Sequence, residues 1–96
     1  MKEIIEKLKL KEYLSQREIS RLLFESKQIY EERSADLGRW SREVISVVEI
    51  DNELYAITWW EGLTEMQDDY YVGVERVKLE TEEVVVPQIN IIYIEE

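Results

Sequence analysis

The chain has 96 residues, of which 45% are hydrophobic and 35% charged, and its formal net charge is −10. That length suits one domain, 1–96, with one modest core that buries roughly 65% of the unfolded surface. The chain lacks cysteine, which excludes a disulfide framework, a zinc ribbon and a thiol nucleophile; it also lacks histidine, the commonest general base and transition-metal ligand.

The first nine residues are charged throughout and contain no apolar run of the kind found in signal peptides. No stretch approaches the ~20 apolar residues of a membrane helix. A cytoplasmic protein is the expectation. Ile4, Ile5 and Leu8 share one face of a helix, with lysines and glutamates on the other. Ser15-Gln16-Arg17-Glu18 is a helix start signal. The Ser15 hydroxyl caps the amide of Glu18, and the Glu18 side chain returns to the amide of Ser15. Leu14 and Ile19 stand at the spacing of a hydrophobic staple. Ile19, Leu22, Leu23, Ile29 and Tyr30 continue a helical stripe, so residues 1–33 read as helical. The segment 24–32 also alternates, and it fits an extended strand as well.

Ser34-Ala35-Asp36-Leu37-Gly38 is a connection, with Gly38 as its turn residue. Beyond it the period changes to two, and residues 39–95 read as an antiparallel sheet. Strands are expected over 40–50, 54–61, 70–79 and 84–94. Asp51-Asn52-Glu53 is a turn, because Asp and Asn tolerate positive φ. Gly73 marks a bulge or a close approach. Pro87 cannot donate a ladder hydrogen bond, which puts the last strand at an edge or gives it a bulge. The expected fold is α+β, with one or two N-terminal helices packed on a four-stranded antiparallel β-meander. The second side of that sheet is either partly exposed or covered by another copy of the chain.

The acidity is unevenly placed. Residues 1–33 hold eight basic and seven acidic side chains; residues 34–96 hold four and fifteen. A negative β-rich portion repels nucleic acid and attracts basic partners. The stretch 60–71 concentrates the signal, with Glu61, Glu65, Asp68 and Asp69 for charge and Trp60, Tyr70 and Tyr71 as aromatic anchors. Carboxylates along an extended chain imitate phosphates in a lysine- and arginine-lined groove. Alternation means that Trp59 and Trp60 face opposite ways, as do Tyr70 and Tyr71. The competing readings are a solvated loop, ordinary coverage of a sheet face, and a cation site at Asp68 and Asp69, whose spacing does not match a calcium loop.

No Gly-rich phosphate loop or Gly-x-Ser-x-Gly elbow is present, and a non-enzymatic protein without cofactor or metal is expected. The segment Leu14 to Leu23 has the look of the first helix of a helix-turn-helix. It lacks a following basic recognition helix, so direct nucleic-acid binding is not expected.

Three pieces carry a resemblance: Ser34-Ala35-Asp36-Leu37-Gly38-Arg39-Trp40-Ser41, Val47-Val48-Glu49-Ile50-Asp51, and Trp60-Glu61-Gly62-Leu63-Thr64-Glu65-Met66-Gln67-Asp68. Together, over about a third of the chain, they resemble small acidic proteins encoded by phages and mobile elements of Gram-positive bacteria. The resemblance implies a phage-type inhibitor at work in the host cytoplasm, by analogy an anti-CRISPR or other anti-defence protein. Its partner would be a larger host protein with a basic surface, such as a Cas nuclease. The alternatives are an assembly module that self-associates through its sheet as a homodimer, and a small-molecule sponge at a dimer interface.

Overall fold

A computed structural model describes residues 1–34, 41–62, 68–82 and 85–94. Two helices, α1 (Lys2–Lys9) and α2 (Gln16–Glu25), precede five strands: β1 (Lys27–Arg33), β2 (Ser41–Ile50), β3 (Glu53–Gly62), β4 (Tyr70–Glu82) and β5 (Gln88–Tyr93). The strands lie in sequence order in one antiparallel sheet. The class is α+β, as expected. The predicted turn residue Gly38 and the predicted sheet residue Trp40 lie outside the described residues.

The four-strand expectation is corrected to five, and the helical reading of 1–33 ends at Glu25. Ser26 already has extended backbone, with φ −96° and ψ 158°, and the chain enters β1 directly. Burial of β2 explains why the extended alternative wins. Val44, Ser46, Val47 and Val48 are fully buried, as suits a strand inside the sheet with a paired neighbour on each side rather than at its edge. β1 supplies the second neighbour, with a bulge at Ile29 between the pairs Gln28–Val48 and Tyr30–Val47.

The N-terminus of α2 forms as its residues dictate. Ser15 Oγ accepts from the Glu18 amide at 3.2 Å, and the Ser15 amide donates to Glu18 Oε1 at 3.1 Å. Leu14 and Ile19 join the same apolar cluster. The β2–β3 turn places Asp51 at φ 50° and Asn52 at φ 65°, the pairing of positive angles that suits a tight hairpin.

Both helices cover one face of the sheet. There Ile4, Ile19, Leu22 and Leu23 pack on Val44, Val48, Ile50, Tyr55, Ile57, Trp59 and Tyr71. Burying each such side chain stabilises the fold by about 1.5–3 kcal/mol relative to exposure. Trp59 stacks on Tyr71 with ring centroids 5.6 Å apart, and its indole N–H donates to Ser46 Oγ at 3.1 Å. That bond gives the buried Ser46 hydroxyl a partner. A β4 bulge at Val72 shifts the register beside this stack. The Gln16 side chain clamps the bulge: its carbonyl accepts from the Tyr71 amide at 2.7 Å and its amide donates to the Tyr71 carbonyl. The predicted irregularity at Gly73 is therefore one residue away, at Val72.

Candidate functional site

Cross-strand pairing assigns each sheet residue to the helix-covered face or to the open one. The registers place Arg33, Arg42, Arg76 and Lys78 on the covered face, in line with Val44, Tyr55 and Val48. Glu32, Glu43, Glu49 and Glu75 fall on the open face, where Lys27 at the β1 edge is the one basic strand residue among those described. Alternation along the strands thus puts the arginines behind the open face, whereas carboxylates occur on both faces: Glu31, Glu53, Glu61, Glu80 and Glu82 share the covered face.

The open face has an apolar floor. Val47, Ala56 and Val77 are buried there beneath Tyr30, Ile45, Leu54, Leu79 and Ile91 from the surrounding sheet. A flat sheet would hold β1 and β5 about 19 Å apart, at ~4.8 Å per strand. Tyr93 on β5 nevertheless hydrogen-bonds Thr58 on β3 and senses Glu32 on β1 and Glu43 on β2. The Tyr93 side chain therefore reaches across the open face toward β3, and the Glu32 and Glu43 charges act on it from the far strands. Burial pushes the Tyr93 phenol up, the Glu75 carboxylate pushes it further, and the Thr58 bond opposes both. Tyr30 donates to Glu32 Oε1 at 2.8 Å, and that bond, with burial, raises its phenol as well. A cavity of about 170 Å³ opens between the carboxylate-bearing residues Glu32 and Glu43, with Arg33, Ser34 and Ile45 completing its wall.

The sequence-predicted residues divide between the two faces. Trp60 pairs with Tyr70 on the open face, where Trp60 is half-buried and Tyr70 is 59% exposed. Tyr71 is 8% exposed and belongs to the core stack with Trp59. Glu61 lies on the covered face, where Arg33 Nη1 and Arg42 Nη2 meet its two oxygens at 2.6 and 2.7 Å. Burial raises the Glu61 carboxyl, but the bond from Arg42 and the charge of Arg33 outweigh it and leave it below the usual glutamate value. Asp69 Oδ1 accepts from the Gly62 amide at 2.9 Å and ties the ends of β3 and β4 together. Asp68 is exposed. Glu65 lies outside the described residues. Trp60, Tyr70 and Asp68 therefore remain at one end of the open face, while Glu61 and Tyr71 are structural.

Sequence reasoning missed Tyr30, Glu32, Glu43, Glu75 and Tyr93. Strand parity was the available signal for Glu43, because it alternates with Val44. The pairing of β1 and β5 to the sheet supplied the rest.

A second concavity, about 800 Å³, lies on the helix side between the α1–α2 connection and β3–β4. Its wall mixes Lys9, Lys11 and Arg76 with Glu12, Glu53 and Glu75. Several of these charges are engaged with acceptors of the fold. Lys9 meets Asp51 at 2.6 Å, Arg76 meets Glu53 at 3.4 Å, and the Tyr55 hydroxyl donates to Glu53 at 2.8 Å. Among the described residues, no group of three or more carboxylates is placed to hold a metal ion, and no helix is long and apolar enough to cross a membrane. No protein-family model, curated protein or solved structure matches this chain.

Proposed function

We propose that this protein is a non-enzymatic inhibitor that docks its open, acidic sheet face on the basic, nucleic-acid-binding surface of a larger protein. The charge balance of the open face carries the reading: Glu32, Glu43, Glu49 and Glu75 share it with tyrosine hydroxyls and an apolar floor, and Lys27 is the one described strand cation there, while Arg33, Arg42 and Arg76 lie on the other face among further carboxylates. A lysine or arginine of the partner enters between Glu32 and Glu43, where the cavity walls carry both carboxylates. Tyr30, Trp60, Tyr70 and Tyr93 supply the amphipathic contact area that anchors interfaces. Opposite charge speeds encounter, and aromatic burial slows release. Neither step requires a reactive group, a cofactor or a metal.

The resemblance to phage and mobile-element proteins makes a Cas nuclease or another defence protein of a Gram-positive host the partner class to examine first. DNA binding by guide-loaded Cas nucleases from such hosts is measured with and without the protein, at low and high salt. The expected result is loss of DNA binding by a susceptible nuclease, relieved as salt rises. The combined variant Glu32→Lys, Glu43→Lys, Glu75→Lys should abolish inhibition, whereas Glu61→Gln should retain it. Inhibition that survives the triple reversal would overturn the acidic-face reading.

A further inference from the structure

The two sheet edges differ in kind. β1 carries Lys27, Glu31, Glu32 and Arg33 and a bulge at Ile29, which are the devices that discourage strand addition. β5 reads Gln88-Ile89-Asn90-Ile91-Ile92-Tyr93, with no charge, no proline and no bulge, and it is paired on one side. A short, uncharged, β-favouring edge of this kind is a template for another strand.

The hydrogen-bond phase shows which groups that edge offers. The Ile94 amide donates to the Arg76 carbonyl at 3.0 Å, so residues of the same parity, Ile92 and Asn90, direct their backbone groups toward β4. Ile89, Ile91 and Tyr93 therefore direct their N–H and C=O groups outward. Their side chains lie on the open face, opposite Thr81, Leu79 and Val77.

We infer that the protein forms a twofold homodimer by antiparallel pairing of β5 with β5 of a second copy, centred on Ile91. A twofold axis normal to a sheet keeps each face on its own side, so paired residues must share parity. Centring on Ile91 satisfies that condition. Ile91 meets Ile91 of the second copy, and Ile89 meets Tyr93 of the second copy. These are the residues with outward N–H and C=O groups, so each donor finds an acceptor. The side chains brought opposite one another are apolar or aromatic. The second copy is the favoured occupant because the strand is complementary to itself in hydrogen-bond phase and because an uncharged edge offers nothing to select a charged peptide. The product is one ten-stranded sheet, with both helix layers on one side and the two open, acidic faces continuous on the other.

Sedimentation equilibrium and light scattering on the full chain test the inference, with Ile89→Pro and Ile91→Lys as variants. The ladder phase turns the Ile89 amide away from β4 and its side chain is 40% exposed, so Ile89→Pro removes dimer bonds without breaking the β4–β5 ladder. Ile91→Lys places two cations opposite one another at the axis. The wild-type mass should be about twice 11.6 kDa, and both variants should fall to the single-chain mass with unchanged far-ultraviolet circular dichroism. Amide exchange at Ile89, Ile91 and Tyr93 should slow as protein concentration rises. Dimerisation of two anionic chains should also strengthen with salt, opposite to docking on a basic partner, so failure of one proposal is distinguishable from failure of the other. A wild-type monomer at all concentrations, or a dimer that survives both substitutions, would overturn the inference.

Discussion

Glu61 sits between two guanidinium groups on the face that the helices cover, and its environment holds its carboxyl below the usual glutamate value. A lowered folded-state value means that the carboxylate contributes stability above the ordinary glutamate range. That contribution is lost as pH falls through the lowered value. Glu61→Gln removes the charge and leaves Arg33 and Arg42 facing a neutral amide. We expect a loss of about 1–2 kcal/mol near neutral pH, shrinking toward zero in acid. Thermal unfolding followed across the acid range checks both points, and an equal loss at all pH values would show that packing rather than charge is responsible. Trp59 makes the complementary point for an apolar residue. Its ring needs the Tyr71 stack and its N–H needs Ser46, so one side chain links β2, β3 and β4.

The α2 start is the element most legible in the sequence, because a capping box is a local device whose partners lie three residues apart. Ser15→Ala should destabilise the fold by about 1 kcal/mol, read as a lower urea midpoint with an unchanged slope. Ser15→Asp should restore most of the loss, since a carboxylate also caps. The β2–β3 hairpin was legible for the same reason: Asp51 and Asn52 are neighbours that carry the turn themselves. What escaped were choices made by distant residues. Residues 24–32 satisfy a helical and an extended pattern, and the demand of β2 for a second neighbour decides between them. The division of the 60–71 stretch followed from parity, but Glu61 became structural because Arg33 and Arg42 converge on it across strands. The bulge at Val72 depends on Gln16, fifty-five positions from Tyr71, and no local window contains that pair.

At the scale of the molecule, an acidic surface has two explanations, solubility and docking, and they differ in what the charges do to the folded chain. Charges placed only for solubility are best dispersed, which limits self-repulsion. Here Glu32, Glu43 and Glu75 share one sheet face with Tyr93, and all three raise its phenol. Like charges on one face repel one another, which opposes folding. The combined variant Glu32→Gln, Glu43→Gln, Glu75→Gln should therefore stabilise the protein, by about 1 kcal/mol or about 4–8 °C, while weakening its hold on a basic partner. Tyr93 reports the same field. Its raised folded-state value means that its contribution to stability is intact below the ordinary tyrosine range and declines as pH rises through the elevated value. In the triple variant the charge part disappears and the burial part remains, so Tyr93 should titrate below wild type but still above an exposed tyrosine. Ring resonances followed by NMR through alkaline pH, alongside thermal unfolding in low salt, measure both quantities on the same samples. Added salt should raise the wild-type melting temperature more than that of the variant, because the variant has less repulsion left to screen. A triple variant that melts lower than wild type and leaves the Tyr93 titration unmoved would mean that these carboxylates stabilise the fold, and the argument that they are kept for a partner would fail.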